Sequence, residues 1–304
     1  MICVEQLTKI YGGFTAIDSV SFEVKAGETF ALLGPNGSGK STTLKCLAGL
    51  VQPSRGRMMI NGADVLEQSR EARKSFSYLP QRVGFHDNLT AREVLHFYCK
   101  LRKVNPQQVD VLLSNPHFDF NGFSDRLVGE FSGGMLQRLG LAIACLPDTS
   151  VLMLDEPTVN LDPAGAVQFR EFLAHLKQQG KTILFSSHVL ADVEQLADKV
   201  GILVGGKLIA LETISGLRAG LMRTCKMQVV LENPDSRWLE TSLQAGAEEA
   251  HFDGDSLWIT ASPELRFTCL KSIESAGGRI ARLMTEEMSL EDIYLDYIRK
   301  NSRV

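Results

Sequence analysis

The sequence predicts an α/β protein, a mostly parallel sheet covered by helices, followed by a smaller α+β unit. Three observations predict it. Short apolar runs alternate with helical periodicities through the first two thirds of the chain. Strand patterns give way to helices between residue 90 and about residue 147. Residues 225–285 then read strand, helix, strand, strand, helix, strand, the order of a ferredoxin-like split βαβ unit. With 304 residues, 44% hydrophobic and 22% charged, the chain can bury two cores, which excludes a disordered, collagen-like or disulfide-scaffold chain.

The elements follow in order. Ile2–Leu7 and Ala16–Val24 alternate and Thr29–Leu33 is a short apolar run, so three strands open the chain. Gly12-Gly13 and Ala26-Gly27-Glu28 punctuate them. A Gly-rich loop precedes an apolar helix through Leu44, Leu47 and Leu50. Arg57–Ile60, closed by Asn61-Gly62, and Phe76–Leu79, stopped by Pro80, are strands. Thr90–Val104 is a helix with Thr90 as N-cap and Glu93 completing a capping box. Pro106–Leu113 and Ser132–Leu146 are further helices of this insert. The α/β pattern returns with strand Ser150–Leu154, helix Pro163–Gln179, strand Thr182–Phe185 and helix Val189–Ala197. A hairpin, Val200–Val204 and Leu208–Leu211, turns at Gly205-Gly206. A helical linker is expected over Thr213–Thr224. The last unit comprises Met227–Leu231, Arg237–Ala245, Glu248–Phe252, Ser256–Thr260, Pro263–Ala276 and Arg279–Met284. An amphipathic helix, Ser289–Arg299, closes the chain with Leu290, Ile293, Tyr294 and Tyr297 on one face. The expected domains are residues 1–215, with a helical subdomain at about 86–147, and residues 216–304.

A net charge of −4, from 32 Lys and Arg against 36 Asp and Glu, argues against a dedicated duplex-DNA binder, and no nucleic-acid partner is expected. It does not argue against a nucleotide, because backbone N–H groups can hold a phosphate. Cysteines at 3, 46, 99, 145, 225 and 269 form no CxxC pair and are expected as reduced thiols. The first residues lack the basic and apolar regions of a signal peptide, and no run approaches the ~18 apolar residues of a membrane span.

Gly34-Pro35-Asn36-Gly37-Ser38-Gly39-Lys40-Ser41 matches G-x-x-x-x-G-K-[ST] between a predicted strand and a predicted helix. Glycines let the loop turn its N–H groups onto phosphate oxygens. Lys40 is placed to reach the β- and γ-phosphates and Ser41 to hold Mg²⁺. Val151–Leu154 is an apolar strand that delivers Asp155 to the Mg²⁺ shell and Glu156 to a water in line with the γ-phosphate. Together these say P-loop nucleotide hydrolase. Phe131-Ser132-Gly133-Gly134-Met135 opens another helix, with Ser132 as N-cap, and makes a second phosphate-binding helix start far from the first.

At this point the sequence resembles the ATP-binding-cassette transporter ATPases, whose LSGGQ signature stands here as Phe131–Met135, with Ser132, Gly133 and Gly134 intact. The resemblance covers about residues 1–215 and extends to further positions. It implies that Tyr11 stacks on adenine and that Gln81 senses Mg²⁺. Asp162, ending Val159-Asn160-Leu161-Asp162, would cross to the opposite subunit, and His188 would face the γ-phosphate. It implies nucleotide contacts from Gly34 through Thr42, Mg²⁺ contacts from Ser41, Gln81 and Asp155, and catalytic roles for Glu156, His188 and Gln81. It further implies a head-to-tail homodimer that sandwiches ATP, and a multi-span permease subunit gripped through the helical subdomain, with Phe85, Leu89 and Phe97 as candidate contacts. His86, His96 and His117 show no metal-ligand spacing.

One cassette with a small C-terminal unit looks like the separate ATPase subunit of an exporter, at the cytoplasmic face of the inner membrane. The ending Met288–Tyr294 resembles the Leu-Glu-Asp-x-Phe ending of such subunits, with Tyr294 in place of phenylalanine. The cassette of the copper-maturation system for nitrous oxide reductase shares this layout. The alternatives are a soluble cassette acting on ribosomes or nucleic acid and a regulatory, non-catalytic cassette. The first usually carries two cassettes or a long coiled coil. The second is expected to have lost Glu156 or His188, and both are present.

Overall fold

The structure, a computed structural model, describes residues 1–120, 122–221, 225–287, 291, 292, 294 and 295. In chain order it runs β1 (Ile2–Tyr11), β2 (Phe14–Val24), β3 (Thr29–Leu33), α1 (Lys40–Leu47), β4 (Arg55–Ile60), β5 (Ala63–Asp64), α2 (Ser69–Ser75) and β6 (Phe76–Leu79). The helices α3 (Ala91–Arg102), α4 (Gln107–Leu113) and α5 (Gly133–Cys145) follow, then β7 (Val151–Asp155), α6 (Pro163–Gln178), β8 (Thr182–Ser187), α7 (Leu190–Leu196), β9 (Lys199–Val204) and β10 (Lys207–Thr213). The chain divides into two units, Met1–Glu212 and Thr213–Val304.

In the first unit a six-stranded sheet has the order β10-β9-β3-β8-β7-β6. The pairs β3–β8, β3–β9, β7–β8 and β6–β7 are parallel. Strand β3 is buried on both faces, which is why TFALL reads as a continuous apolar run. Its register sets Leu33 beside Ser187, while Asp155 lies beside Ser186 and Leu79 beside Leu154. The carboxyl ends of β3, β6, β7 and β8 therefore meet along one edge, where open α/β sheets take their ligands.

The sequence reading did not separate the first strands from this sheet. β1, β2, β4 and β5 form their own antiparallel sheet, order β2-β1-β4-β5. Short turns join β1 to β2 and β4 to β5, and such neighbours pair antiparallel. Strand β1 runs on to Tyr11, which pairs with Phe14 across Gly12-Gly13. Helix α2 was also not foreseen: of its seven residues only Ala72 is buried, too little for an apolar stripe to show. The two sheets and α1 share one core around Ile2, Ile17, Phe30, Leu44, Leu47 and Met153. Among the described residues of the insert, Thr90 accepts from Glu93 N at 3.2 Å, and Thr90 N donates to Glu93 Oε2 at 2.8 Å, the expected capping box.

The second unit comprises α8 (Ile214–Leu221), β11 (Cys225–Leu231), α9 (Arg237–Gln244), β12 (Glu249–Asp253), β13 (Ser256–Ala261), α10 (Arg266–Ser275) and β14 (Ile280–Glu287). Its sheet, order β12-β13-β11-β14 with antiparallel pairs throughout, is the split βαβ arrangement that the element order predicted. Helix α10 starts at Arg266 instead of Pro263, because Leu265 N bonds back to Ser262 O and closes a turn first. Strand β14 runs three residues past Met284. Of the expected terminal helix, Leu290, Ile293 and Tyr297 lie outside the described residues.

Alternate residues of β11 and β13 face α9 and α10 over a core of Met227, Val229, Trp238, Leu257, Ile259 and Ile273. Trp238 is fully buried, and its Nε1 donates to Asn233 O at 2.9 Å. Asn233 in turn donates to Gly277 O and accepts from Arg279 N, tying the loops together. Trp238→Ala should destabilise this unit by about 3–5 kcal/mol. Both tryptophans of the chain, Trp238 and Trp258, belong to this unit, so Trp258 fluorescence follows its unfolding. A clear fall in the urea midpoint is expected; an unchanged midpoint would show that Trp238 is not the core's anchor.

Candidate functional site

Strand β3 delivers the loop Gly34–Gly39 to the sheet edge. Two of its glycines are sterically required. A Cβ on Gly34 would lie 2.2 Å from Leu203 O, and one on Gly39, at φ +104°, would lie 2.7 Å from Ala16 O. Helix α1 begins at Lys40, whose side chain is buried. Its Nζ donates to Gly34 O at 2.8 Å and Pro35 O at 3.1 Å, and stands 3.3 Å from Glu156 Oε1.

Asp155 ends β7, fully buried. Ser41 Oγ and Ser186 Oγ both donate to its Oδ1, at 2.8 and 2.7 Å. Among the described residues, its Oδ2 is buried with no partner. Ser186 also accepts from Glu156 N at 2.9 Å, so one hydroxyl on β8 fixes both acidic residues. The chain turns sharply here: Glu156 has φ +45°, a left-handed conformation costly for a side-chain-bearing residue. That turn brings its carboxylate back into the site, where Oε2 accepts from Gln81 Nε2 at 3.0 Å and lies 3.3 Å from His188 Nδ1. Lys40, Gln81 and His188 thus converge on one buried carboxylate.

These groups line a cleft of about 650 Å³ that also takes in Asn36, Gly37, Ser38, Gly39, Ser41 and Thr42. Tyr11 stands at its mouth, 45% exposed, with Lys9 Nζ 4.6 Å from its ring centroid. Phe14, 67% exposed, stands beside it and was missed in the sequence. The signal was the hairpin itself: a second aromatic facing Tyr11 across Gly12-Gly13. Ser186 was missed too, because a serine in an apolar strand reads as a neutral core position.

Ser132, Gly133, Gly134 and Asp162 do not line this cleft. Ser132 N-caps α5, accepting from Met135 N at 3.3 Å. Asp162 N-caps α6, accepting from Gly165 N at 3.0 Å. A Cβ on Gly134 would lie 3.3 Å from Asn160 O, so the α5 start and the Val159–Asp162 segment abut. That segment is braced from behind by Asp192, buried on α7, which accepts from Thr158 Oγ1 at 2.6 Å and from Arg170 Nη1 at 2.9 Å.

A second groove of about 400 Å³, in the helical insert, is lined by Phe85, His86, Leu89, Val94, Phe97 and Tyr98, with Phe97 57% exposed. Among the described residues no group of three or more His, Cys, Asp or Glu is placed to hold a metal. The donors beside the cleft suit a different ion. A serine hydroxyl, a carboxylate with an unpartnered oxygen and a nearby carboxamide are the hard oxygen ligands of Mg²⁺, which keeps several waters and needs few protein groups.

Ser186→Ala would leave Glu156 N without its acceptor and Asp155 with one donor fewer, both buried. The expected cost is about 1–3 kcal/mol, seen as a lower urea midpoint of the first unit. A wild-type midpoint would remove Ser186 from the site.

The ABC transporter family model matches residues 17–159. A bacitracin transport ATP-binding protein of Bacillus licheniformis is 32% identical over 98% of this chain and 97% of its own length. A Nod factor export ATP-binding protein of Burkholderia orbicola is 34% identical over 94% of this chain and 93% of its own. A solved ATP-binding subunit of an ABC transporter superposes with a TM-score of 0.66 at 30% identity, over 72% of this chain and 92% of that one. A dimeric ATP-binding cassette solved with ADP and phosphate, 22% identical, shares the fold over 70% of this chain and 99% of that one, with a TM-score of 0.65. Relatives aligned over nearly their whole length, and a cleft built from the phosphate loop and the Asp155-Glu156 strand end, lead to one conclusion: the chain belongs to the ATP-binding proteins of ABC transporters, ATPases that couple hydrolysis to transport.

Proposed function

We propose that the cleft binds ATP with Mg²⁺ and hydrolyses it to drive export through a separate multi-span permease subunit. The observation that carries the reading is the convergence of Lys40, Gln81 and His188 on the buried Glu156, next to Asp155 held by Ser41. In this reading Tyr11 offers its ring to adenine, with Phe14 beside it. Backbone N–H groups from Gly34 to Thr42 cradle the phosphates, and Lys40 reaches the β- and γ-phosphates. Ser41, Asp155 and Gln81 hold Mg²⁺, whose charge offsets that of the phosphates. Glu156 orients the attacking water and accepts its proton, and His188 contacts the γ-phosphate.

The second anion-binding helix start, Ser132-Gly133-Gly134, serves the cleft of a second copy, with Asp162 at the same contact. ATP then closes a homodimer, and hydrolysis reopens it. The groove around Phe85, Leu89 and Phe97 receives the permease. Export is supported by the relatives named for bacitracin transport and Nod factor export. The working organisation is a cassette over residues 1–215, helical subdomain included, and a separate unit over 216–304, peripheral on the cytoplasmic face of the inner membrane. No helix among the described residues is long and apolar enough to cross a membrane.

Glu156→Gln keeps the shape of the site and removes the base. It should bind ATP, accumulate as a dimer in size-exclusion chromatography with ATP, and turn over roughly 10²–10⁴-fold more slowly. Undiminished turnover would refute the role of Glu156. Affinity capture of the tagged chain from detergent-solubilised host membranes should bring down a multi-span protein. Ribosomes or nucleic acid in its place would overturn the permease partner and leave the ATPase site standing.

A further inference from the structure

Buried polar atoms without partners are rare, and each calls for an account. Of the described ones, only Asp155 Oδ2 belongs to a carboxylate. A second such atom is the phenol oxygen of Tyr78. The sheet register relates them. Strands β6 and β7 pair in parallel with Tyr78 beside Met153. Asp155, two residues beyond Met153, projects from the same face of β7. Tyr78 is therefore one step behind Asp155 on the neighbouring strand, on the face that packs against the core shared by α1. Its ring belongs to that core, and for packing alone phenylalanine would serve as well. What remains to explain is the hydroxyl, a donor buried next to an acceptor that neither Ser41 nor Ser186 takes.

We propose that Tyr78 is a positioning residue for Asp155: the phenol O–H and Oδ2, neither bonded to a partner in this structure, pair with each other while Ser41 and Ser186 hold Oδ1. With both oxygens anchored the carboxylate cannot rotate, and it presents a fixed direction to the ion. Outer hydrogen bonds of this kind commonly change metal affinity 10–100-fold. The proposal rests on the assignment of Asp155 to Mg²⁺ made above.

The test is Tyr78→Phe in the full chain, titrated with Mg²⁺ in the presence of a fluorescent ATP analogue. The half-saturating Mg²⁺ concentration should rise about 10-fold, while binding of the analogue in EDTA stays at the wild-type value. A Mg²⁺ curve superimposable on wild type overturns the role of Tyr78. A thermal double-mutant cycle with Asp155→Ala gives a second readout. Tyr78→Phe should lower the Tm of the wild type and leave that of Asp155→Ala unchanged. Equal losses in both backgrounds would mean that the hydroxyl acts elsewhere and overturn the proposal. If the wild type itself binds the analogue independently of Mg²⁺, the assignment of Asp155 fails, a different result from loss of the tyrosine effect alone.

Discussion

The convergence of Lys40, Gln81, Glu156 and His188 depends on the parallel register of β6, β7, β8 and β3. Parallel strands point their carboxyl ends the same way, so four segments far apart in sequence finish at one edge: Leu33 into the phosphate loop, Leu79 toward Gln81, Asp155 into Glu156, and Ser187 into His188. A slip of one residue in any pair would turn its side chains to the other face of the sheet. The short strands Thr29–Leu33 and Val151–Leu154, apolar but for Thr29, hold that register because both faces are buried. The chemistry is thus a consequence of core packing, and the polar residues that carry it are a thin rim on an apolar scaffold.

That rim is electrostatically demanding. Lys40, Asp155 and Glu156 are all nearly withdrawn from water, where an uncompensated charge is costly. The structure meets this cost with close partners: two carbonyls and a carboxylate on Lys40, two hydroxyls on Asp155, an amide and an imidazole on Glu156. The balance still leaves two carboxylates against one fixed cation, with His188 adding charge only when protonated. A site with this surplus favours a divalent cation beside Asp155. Tyr78 lies within the same field: burial first, and then the neighbouring Asp155 charge, raise its phenol well above the usual tyrosine range, which keeps it a hydrogen-bond donor.

How much of this was legible in the sequence follows from how local each signal is. The phosphate loop is legible because its glycines answer a steric demand that no other residue meets, as the clashes at Gly34 and Gly39 show. Thr90 and Ser132 are legible as caps because a cap acts within three residues of itself. Ser186, Asp192 and Tyr78 were not legible, since each works through a partner at least 30 residues away and looks locally like an ordinary core or helix residue. The separate antiparallel sheet was hidden for the same reason, as strand patterns carry no mark of which sheet they join. Helix α2 shows the opposite limit, a local element with too few buried side chains to leave a period.

The placement of the second helix start gives the arrangement its directionality. Ser132-Gly133-Gly134 abuts the segment that runs from Glu156 to Asp162, yet it stays outside the cleft that Glu156 serves. This is the observation behind the proposal that Ser132-Gly133-Gly134 serves the cleft of a second copy. The same loop therefore has two obligations. At one end Glu156 is held in a strained turn by Lys40, Gln81 and His188; at the other Asp162 caps α6, with Asp192 bracing the chain between. The α5 start meets this loop at Asn160, four residues beyond Glu156. One continuous piece of backbone thus joins the Glu156 turn, the neighbour of the α5 start and the cap of α6.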